Sequence, residues 1–237
     1  MTTPLFRDDA YLTRTAAVVT GVTDRGGILL DQTVFYPTGG GQPGDTGTLT
    51  LSDGTVIEIA TAVKGETPEE VVHVPAEGTP LPEVGAEVTA EIDWDTRHRL
   101  MRMHSCLHLL SAVLPYPVTG GQVSDGKGRL DFDLPEAILD KEEITAELNR
   151  IISENHAVSS DWISEEELDA QPELVKTMSV QPPRGAGRVR LIKVAGVDLQ
   201  PCGGTHVRNT SEIGAVRVRK IEKKGRQNRR VSLEFAE

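Results

Sequence analysis

At 237 residues, 38% of them hydrophobic, the chain is long enough to bury the core of one large domain or two modest ones. No apolar run approaches the roughly 18–20 residues of a bilayer-crossing helix, and the N-terminus MTTPLFRDDAYLTRT lacks the apolar stretch of a secretory signal, so a cytoplasmic protein without membrane contact is expected. The formal net charge of −11 speaks against a nucleic-acid partner only on average, because residues 182–237 carry 13 Lys and Arg against 5 Asp and Glu. That balance of +8 leaves −19 for residues 1–181 and makes the C-terminal end a candidate phosphate-contacting surface.

From Thr13 to Asp93 the runs TRTAAVVTGVTD, GGILLDQTVFY, DTGTLTLSDGTVIEIATAV, EEVVHVP and GAEVTAEID are short, β-rich and separated by Gly, Pro and Asp-Gly turns. They predict a small antiparallel β-barrel or sandwich as a first domain, residues 1–93. At Trp94 the pattern changes: Asp93 is a candidate N-cap, and WDTRHRLMRMHSCLHLLSAVL carries apolar residues at helical spacing up to Pro115. TGGQVSDGKG reads as a Gly-rich turn, RLDFDL as a strand, EAILDKEEITAELNRIISENHA as an amphipathic helix and AVSSDWI as a strand. SEEELDAQPELVK predicts a short surface helix, and RVRLIKV, GAVRVRKIE and RRVSLEF are expected to complete one antiparallel sheet. Residues 94–237 therefore form an α+β second domain, with helices packed on that sheet.

His104 and His108 stand at i and i+4 on the expected helix, one turn apart on one face and within reach of one ion. Alone, that spacing equally fits a helix with two half-buried histidines. Cys202 and His206 flank two glycines in PCGGTHVRNTSEIG, where a tight backbone would bring both side chains together. One thiolate with three imidazoles is a borderline-soft set suited to a single zinc ion. Ser105 stands where the peptidase pattern H-E-x-x-H has its glutamate, which excludes that mechanism. His73, His98 and His156 lack ligand spacing and read as surface or packing residues, and Cys106, on another face of the helix, reads as a buried apolar thiol.

Together FYPTGGGQPGDTG (35–47), RMHSCLHLL (102–110), RLDFDL (129–134) and PCGGTHVRNTSEIGAVRVRKIE (201–222) resemble, in this order, the editing region of alanyl-tRNA synthetases and the free-standing AlaX-type editing proteins. Threonyl-tRNA synthetase editing domains share both ligand halves, whereas GGGQPGDTG marks the alanyl type. The resemblance spans nearly the whole chain and leaves no room for an aminoacylation core, which implies editing in trans.

What the resemblance implies is hydrolysis of tRNA(Ala) mischarged with serine, or with glycine, by a zinc site that takes no nucleotide cofactor. Zinc there would polarise the ester or activate water, or else anchor the substrate amino group while nearby donors orient water. Ser105 corresponds to a hydroxyl residue that helps read the serine side chain, and Gln122 to a polar glutamine near the ester. Gly39, Gly40, Gly41 and Gln42 form a loop whose backbone either approaches the tRNA end or the partner domain, or is a plain tight turn. Expected phosphate contacts are Lys220, Lys223, Lys224, Arg226, Arg229 and Arg230, with Arg97, Arg99 and Arg102 at the helix start. The rival readings are a zinc-stabilised tRNA-binding module without catalysis and a deacylase for another mischarged tRNA, such as a threonyl type.

Overall fold

The computed structural model of the chain describes residues 2–67, 70–134, 139–178 and 187–236. Its contacts divide into two units, Met1–His98 and Arg99–Glu237.

The first unit contains β1 (Thr3–Pro4), β2 (Arg14–Val22), β3 (Ile28–Leu30), β4 (Gln32–Thr33), β5 (Gly47–Leu51), β6 (Val56–Lys64), β7 (Val71–Pro75) and β8 (Glu87–Ile92). Six of these close an antiparallel barrel in the order β2-β3-β7-β6-β5-β8, while β1 pairs with β4 alongside. Alternation explains the closure: Ile57 and Ile59 of β6 and Val88, Ala90 and Ile92 of β8 point inward, and their neighbours in the strands face out. Part of the expected EEVVHVP strand, Glu69, lies outside the described residues.

Within the barrel His73 is fully buried, bonded to Thr33 Oγ1 (2.7 Å) and to the Ile28 carbonyl (3.0 Å). Burial pushes its pKa down to about 4, outweighing the opposing hydrogen bond to the Ile28 carbonyl. Because the folded value lies below the unfolded 6.5, the unfolded chain takes up the proton first. This contribution to stability is complete above pH 6.5 and is lost as the pH falls toward 4. The loss amounts to about 3 kcal/mol. Urea midpoints at neutral and mildly acid pH should show it, and the difference should shrink in His73→Gln.

The Gly-rich motif builds a clamp inside this unit. Gly39 and Gln42 exchange backbone hydrogen bonds (3.0 and 2.9 Å) across Gly40 and Gly41, whose φ of 57° and 80° suit a primed hairpin turn. Flanking this turn, the Tyr36 amide donates to Asp45 Oδ2 and the Asp45 amide returns to the Tyr36 carbonyl. Arg97, also fully buried, donates to both Asp45 oxygens, to the Val34 carbonyl (2.7 Å) and to the Ala10 carbonyl (2.9 Å). This corrects the expectation that Arg97 contacts phosphate: its guanidinium is enclosed and neutralised by Asp45.

Helix α1 (Trp94–Val113) contains the boundary between the units, after His98. It starts where the Thr96 amide donates to Asp93 Oδ1 (3.1 Å) and ends two residues before Pro115, as the spacing predicts. The second unit continues with β9 (Val118–Ser124), β10 (Lys127–Asp133), α2 (Lys141–Ser153), β11 (Val158–Ser164), α3 (Glu165–Asp169), β12 (Arg188–Val194), β13 (Asp198–Pro201), β14 (Val216–Lys224) and β15 (Asn228–Phe235). Asp140 caps α2 by accepting the Glu143 amide, and Ile144, Leu148, Ile151 and Ile152 form its buried face. Its expected first turn, at 136–138, lies outside the described residues.

Two expectations change. The three C-terminal runs do not share a sheet: β12 joins β11 and β13 in order β11-β12-β13, whereas β14 and β15 join β10 and β9 in order β14-β15-β10-β9. TGGQVSDGKG is mostly strand, because β9 pairs with β10 around a turn at Asp125–Gly126. The helices pack as expected: Asn149 of α2 exchanges hydrogen bonds with the Val216 backbone (2.8 and 3.0 Å), and Gly128 of β10 faces α1. A Cβ at Gly128 would stand 2.8 Å from Met103 Sδ, so its absence lets α1 lie close against the sheet.

Candidate metal centre

Helix α1 and the loop after β13 bring four donors together. His104, His108, Cys202 and His206 each offer one ligand atom, and these atoms all lie within 4.8 Å of one another. The ring centroids of His104 and His108 stand 4.4 and 4.5 Å from that of His206. Cys202 Sγ is 3.5 Å from His104 Nε2 and 3.4 Å from His206 Nε2. The two halves identified by spacing therefore meet, and all three histidines are buried.

The loop is held by Arg190 of β12. The Cys202 amide donates to the Arg190 carbonyl (3.1 Å), while Arg190 Nη1 donates to the carbonyls of Gly204 (2.8 Å) and Cys202 (3.3 Å). A Cβ at Gly203 would meet open space, so the turn depends on this clasp and not on bare backbone at that glycine.

Ser105 is buried beside His206: its Oγ lies 3.1 Å from His206 Nδ1 and accepts the Val207 amide at 3.2 Å. Gln122 stands exposed on β9, where its Oε1 accepts from Arg129 Nε (3.2 Å). It lines a hollow with Ser124, Lys127, Arg129, Arg219 and Ser232 that none of the four donor residues lines.

Four further residues, Asp198, Gln200, Lys176 and Ser111, complete the surroundings. Asp198 and Gln200 precede Cys202 by four and two positions, so strand alternation turns all three toward α1. Asp198 Oδ2 approaches His108 Nδ1 at 3.4 Å and accepts from Gln200 Nε2 at 2.6 Å, while Oδ1 pairs with Lys176. Gln200 Nε2 also donates to Ser111 Oγ (2.9 Å), which in turn donates to the His108 carbonyl (2.9 Å). The inward Asp-x-Gln-x-Cys alternation is the signal in the sequence that could have found Asp198 and Gln200.

The charges suit a cation. Burial raises the Cys202 thiol, but His104 and His206 beside it outweigh that and hold it well below its ordinary value, favouring thiolate. Burial and the neighbouring His104 and His108 keep His206 neutral. Burial pushes His108 down, yet Asp198 and Cys202 more than offset it and raise it to about 9, so a metal binding there would have to displace a proton from this ring. Asp198, despite burial, is brought down to about 2 by His108 and Lys176. His108 Nδ1 is buried and makes no aligned hydrogen bond among the described residues. Thiolate, imidazoles and their spacing fit a bound zinc ion. Cys106 takes no part: burial pushes it up to about 12, so the native protein should resist alkylation there.

Of the expected phosphate contacts, Lys220, Lys223, Lys224 and Arg226 are exposed around the β14–β15 hairpin. Lys220 and Lys224 pair with Glu222 (2.9 and 3.4 Å), and half-buried Arg230 pairs with Asp131 (2.7 Å). Arg229 is half-buried. Arg99 pairs with Asp125, and Arg102 donates to the Ile213 carbonyl while lying 4.2 Å over the Phe235 ring.

Residues 189–232, which include Cys202 and His206, match the family described as threonyl and alanyl tRNA synthetase second additional domain, and residues 7–96 match class II (A) tRNA synthetases. The chain is 36% identical to alanyl-tRNA editing protein AlaX-M of Methanosarcina acetivorans, over 98% of both chains. It belongs to the AlaX family of alanyl-tRNA editing proteins. The AlaX-M protein of Pyrococcus horikoshii is 35% identical over 98% of this chain and 97% of its own. The alanine–tRNA ligase of Pyrobaculum neutrophilum is 35% identical over 94% of this chain, which covers 25% of the ligase. Among the described residues no helix is long and apolar enough to cross a membrane.

Proposed function

We propose that the chain is a cytoplasmic, trans-acting deacylase that hydrolyses seryl-tRNA(Ala), and glycyl-tRNA(Ala) as a second substrate, with one zinc ion at the four-donor site. The observation that carries this reading is the convergence of His104, His108, Cys202 and His206 in a chain that matches editing proteins over nearly its full length. An alanine-activating pocket cannot strongly reject the smaller glycine or the hydroxyl-bearing serine, so a second, hydrolytic sieve is required. In the reaction water adds to the ester carbonyl carbon, the bond to the terminal ribose breaks, and free amino acid and tRNA(Ala) leave. A bound zinc would supply Lewis-acid polarisation of that carbonyl.

The protein residues supply position and selectivity. With His206 Nε2 turned toward the cluster, the ring proton sits on Nδ1 and Ser105 Oγ accepts it. The Ser105 hydroxyl hydrogen then remains to donate to a substrate hydroxyl, a bond that alanine cannot make. Replacing Ser105 with threonine should lower alanyl-tRNA(Ala) cleavage relative to seryl-tRNA(Ala), measured as a ratio of kcat/KM. The exposed cations of the β14–β15 hairpin contact tRNA phosphates. Changing Lys223, Lys224 and Arg226 to alanine should reduce the slope of log affinity against log salt by about two to three. An unchanged slope would place the contact surface elsewhere.

Four protein donors would also fill all four positions of a tetrahedral zinc ion, which favours a second reading, a zinc-stabilised tRNA-binding module without catalysis. Amino-acid release from seryl-, glycyl- and alanyl-tRNA(Ala) separates the two. Release of serine well above alanine supports the deacylase, and no release from any of them leaves the binding module.

A further inference from the structure

We infer that Asp198 is a positioning residue of the metal centre: through His108 Nδ1 it fixes the ring so that Nε2 faces the ion, with Lys176 and Gln200 holding the carboxylate in place. This rests on the reading of the four donors as a metal site.

A neutral imidazole that ligates through Nε2 carries its proton on Nδ1. For His108 that nitrogen is buried, and it makes no aligned hydrogen bond among the described residues. The carboxylate oxygen Oδ2 of Asp198 stands 3.4 Å away. A small rotation of the ring would close the contact, and without it a buried N–H would go unpaired.

Asp198 itself sits outside the donor cluster, because its two oxygens are otherwise engaged. Oδ1 pairs with Lys176 Nζ, and Oδ2 accepts from Gln200 Nε2 at 2.6 Å. The Asp198 side chain is fully enclosed, whereas that of Lys176 is 26% exposed and brings the neutralising charge in from the rim. Gln200 reaches on to Ser111 Oγ, whose own bond to the His108 carbonyl returns the network to the helix turn that carries the ligand. Both the ring and the backbone of His108 are therefore tied to β13, the strand that leads into Cys202. One strand thus leads into one donor and orients another.

Zinc affinity, measured by competition with a chromophoric chelator, tests the assignment on the full chain. Asp198→Asn should weaken zinc binding about 10–100-fold, and Lys176→Met by a smaller factor. Histidine-selective NMR of the zinc-loaded wild type should show His108 bound through Nε2 with a proton on Nδ1. Affinity of a folded Asp198→Asn variant within about twofold of wild type overturns the inference while leaving the metal site standing. Should that variant fail to fold, the wild-type tautomer decides, and coordination through Nδ1 overturns it. A wild-type protein that binds no zinc removes the metal reading and this one with it.

Discussion

Replacing Cys202 with alanine is expected to lower both zinc affinity and the deacylation of seryl-tRNA(Ala), the latter by on the order of a thousandfold. Cys202 is the one anionic donor among three imidazoles, and its Sγ contacts both His104 Nε2 and His206 Nε2. Removing it takes away the charge that would balance a bound dication in a buried site and the acceptor of the Gly204 amide (3.4 Å). His206→Ala should behave similarly, because it also releases Ser105 from its contact at Nδ1. Zinc content by metal analysis, measured beside amino-acid release, checks the pair. A Cys202→Ala protein that keeps full activity without zinc would remove the site from the chemistry.

The second large effect belongs to the barrel and concerns stability. Asp45→Ala leaves the fully buried Arg97 guanidinium without its carboxylate and should destabilise the first unit by about 3–5 kcal/mol. Replacing Asp45 and Arg97 together with apolar residues of similar size should cost far less, since no uncompensated charge then remains. Trp94 lies in the first unit and Trp162 in the second, so denaturant unfolding followed by Trp94 fluorescence in a Trp162→Phe background isolates the effect. A midpoint for Asp45→Ala equal to that of the parent would contradict the role given to this pair.

Those two sites also show what the sequence could and could not reveal. HxxxH and CxxxH were legible because each half is local, with one helical turn or one short loop bringing its donors together. Strand and helix periods likewise gave the barrel runs and α1. Arg97 reads as a phosphate contact in the sequence because a cation near a helix start looks like surface, while its partner Asp45 lies 52 positions away in the chain. Asp198, Gln200 and Lys176 carry no local mark of their role for a related reason: their convergence on His108 requires β13 to lie beside α1, and pairing between distant elements leaves no local period. The separation of β12 from β14 and β15 is of the same kind, since all three share one basic, alternating pattern and only tertiary packing sorts them into sheets.

Ser105 unites both levels. Its position beside the first ligand is visible in the sequence, whereas its contact with His206, 101 positions on, is not. The contact makes the hydroxyl part of the ligand framework as well as a candidate reader of substrate, so Ser105→Ala should weaken the site in addition to relaxing selectivity.

Zinc add-back tests the central claim most directly. Chelator-treated protein that remains folded by circular dichroism is titrated with zinc while serine release from seryl-tRNA(Ala) is followed. Activity lost on chelation and restored in full at one zinc per chain is the predicted result. Undiminished serine release from zinc-free protein would contradict it.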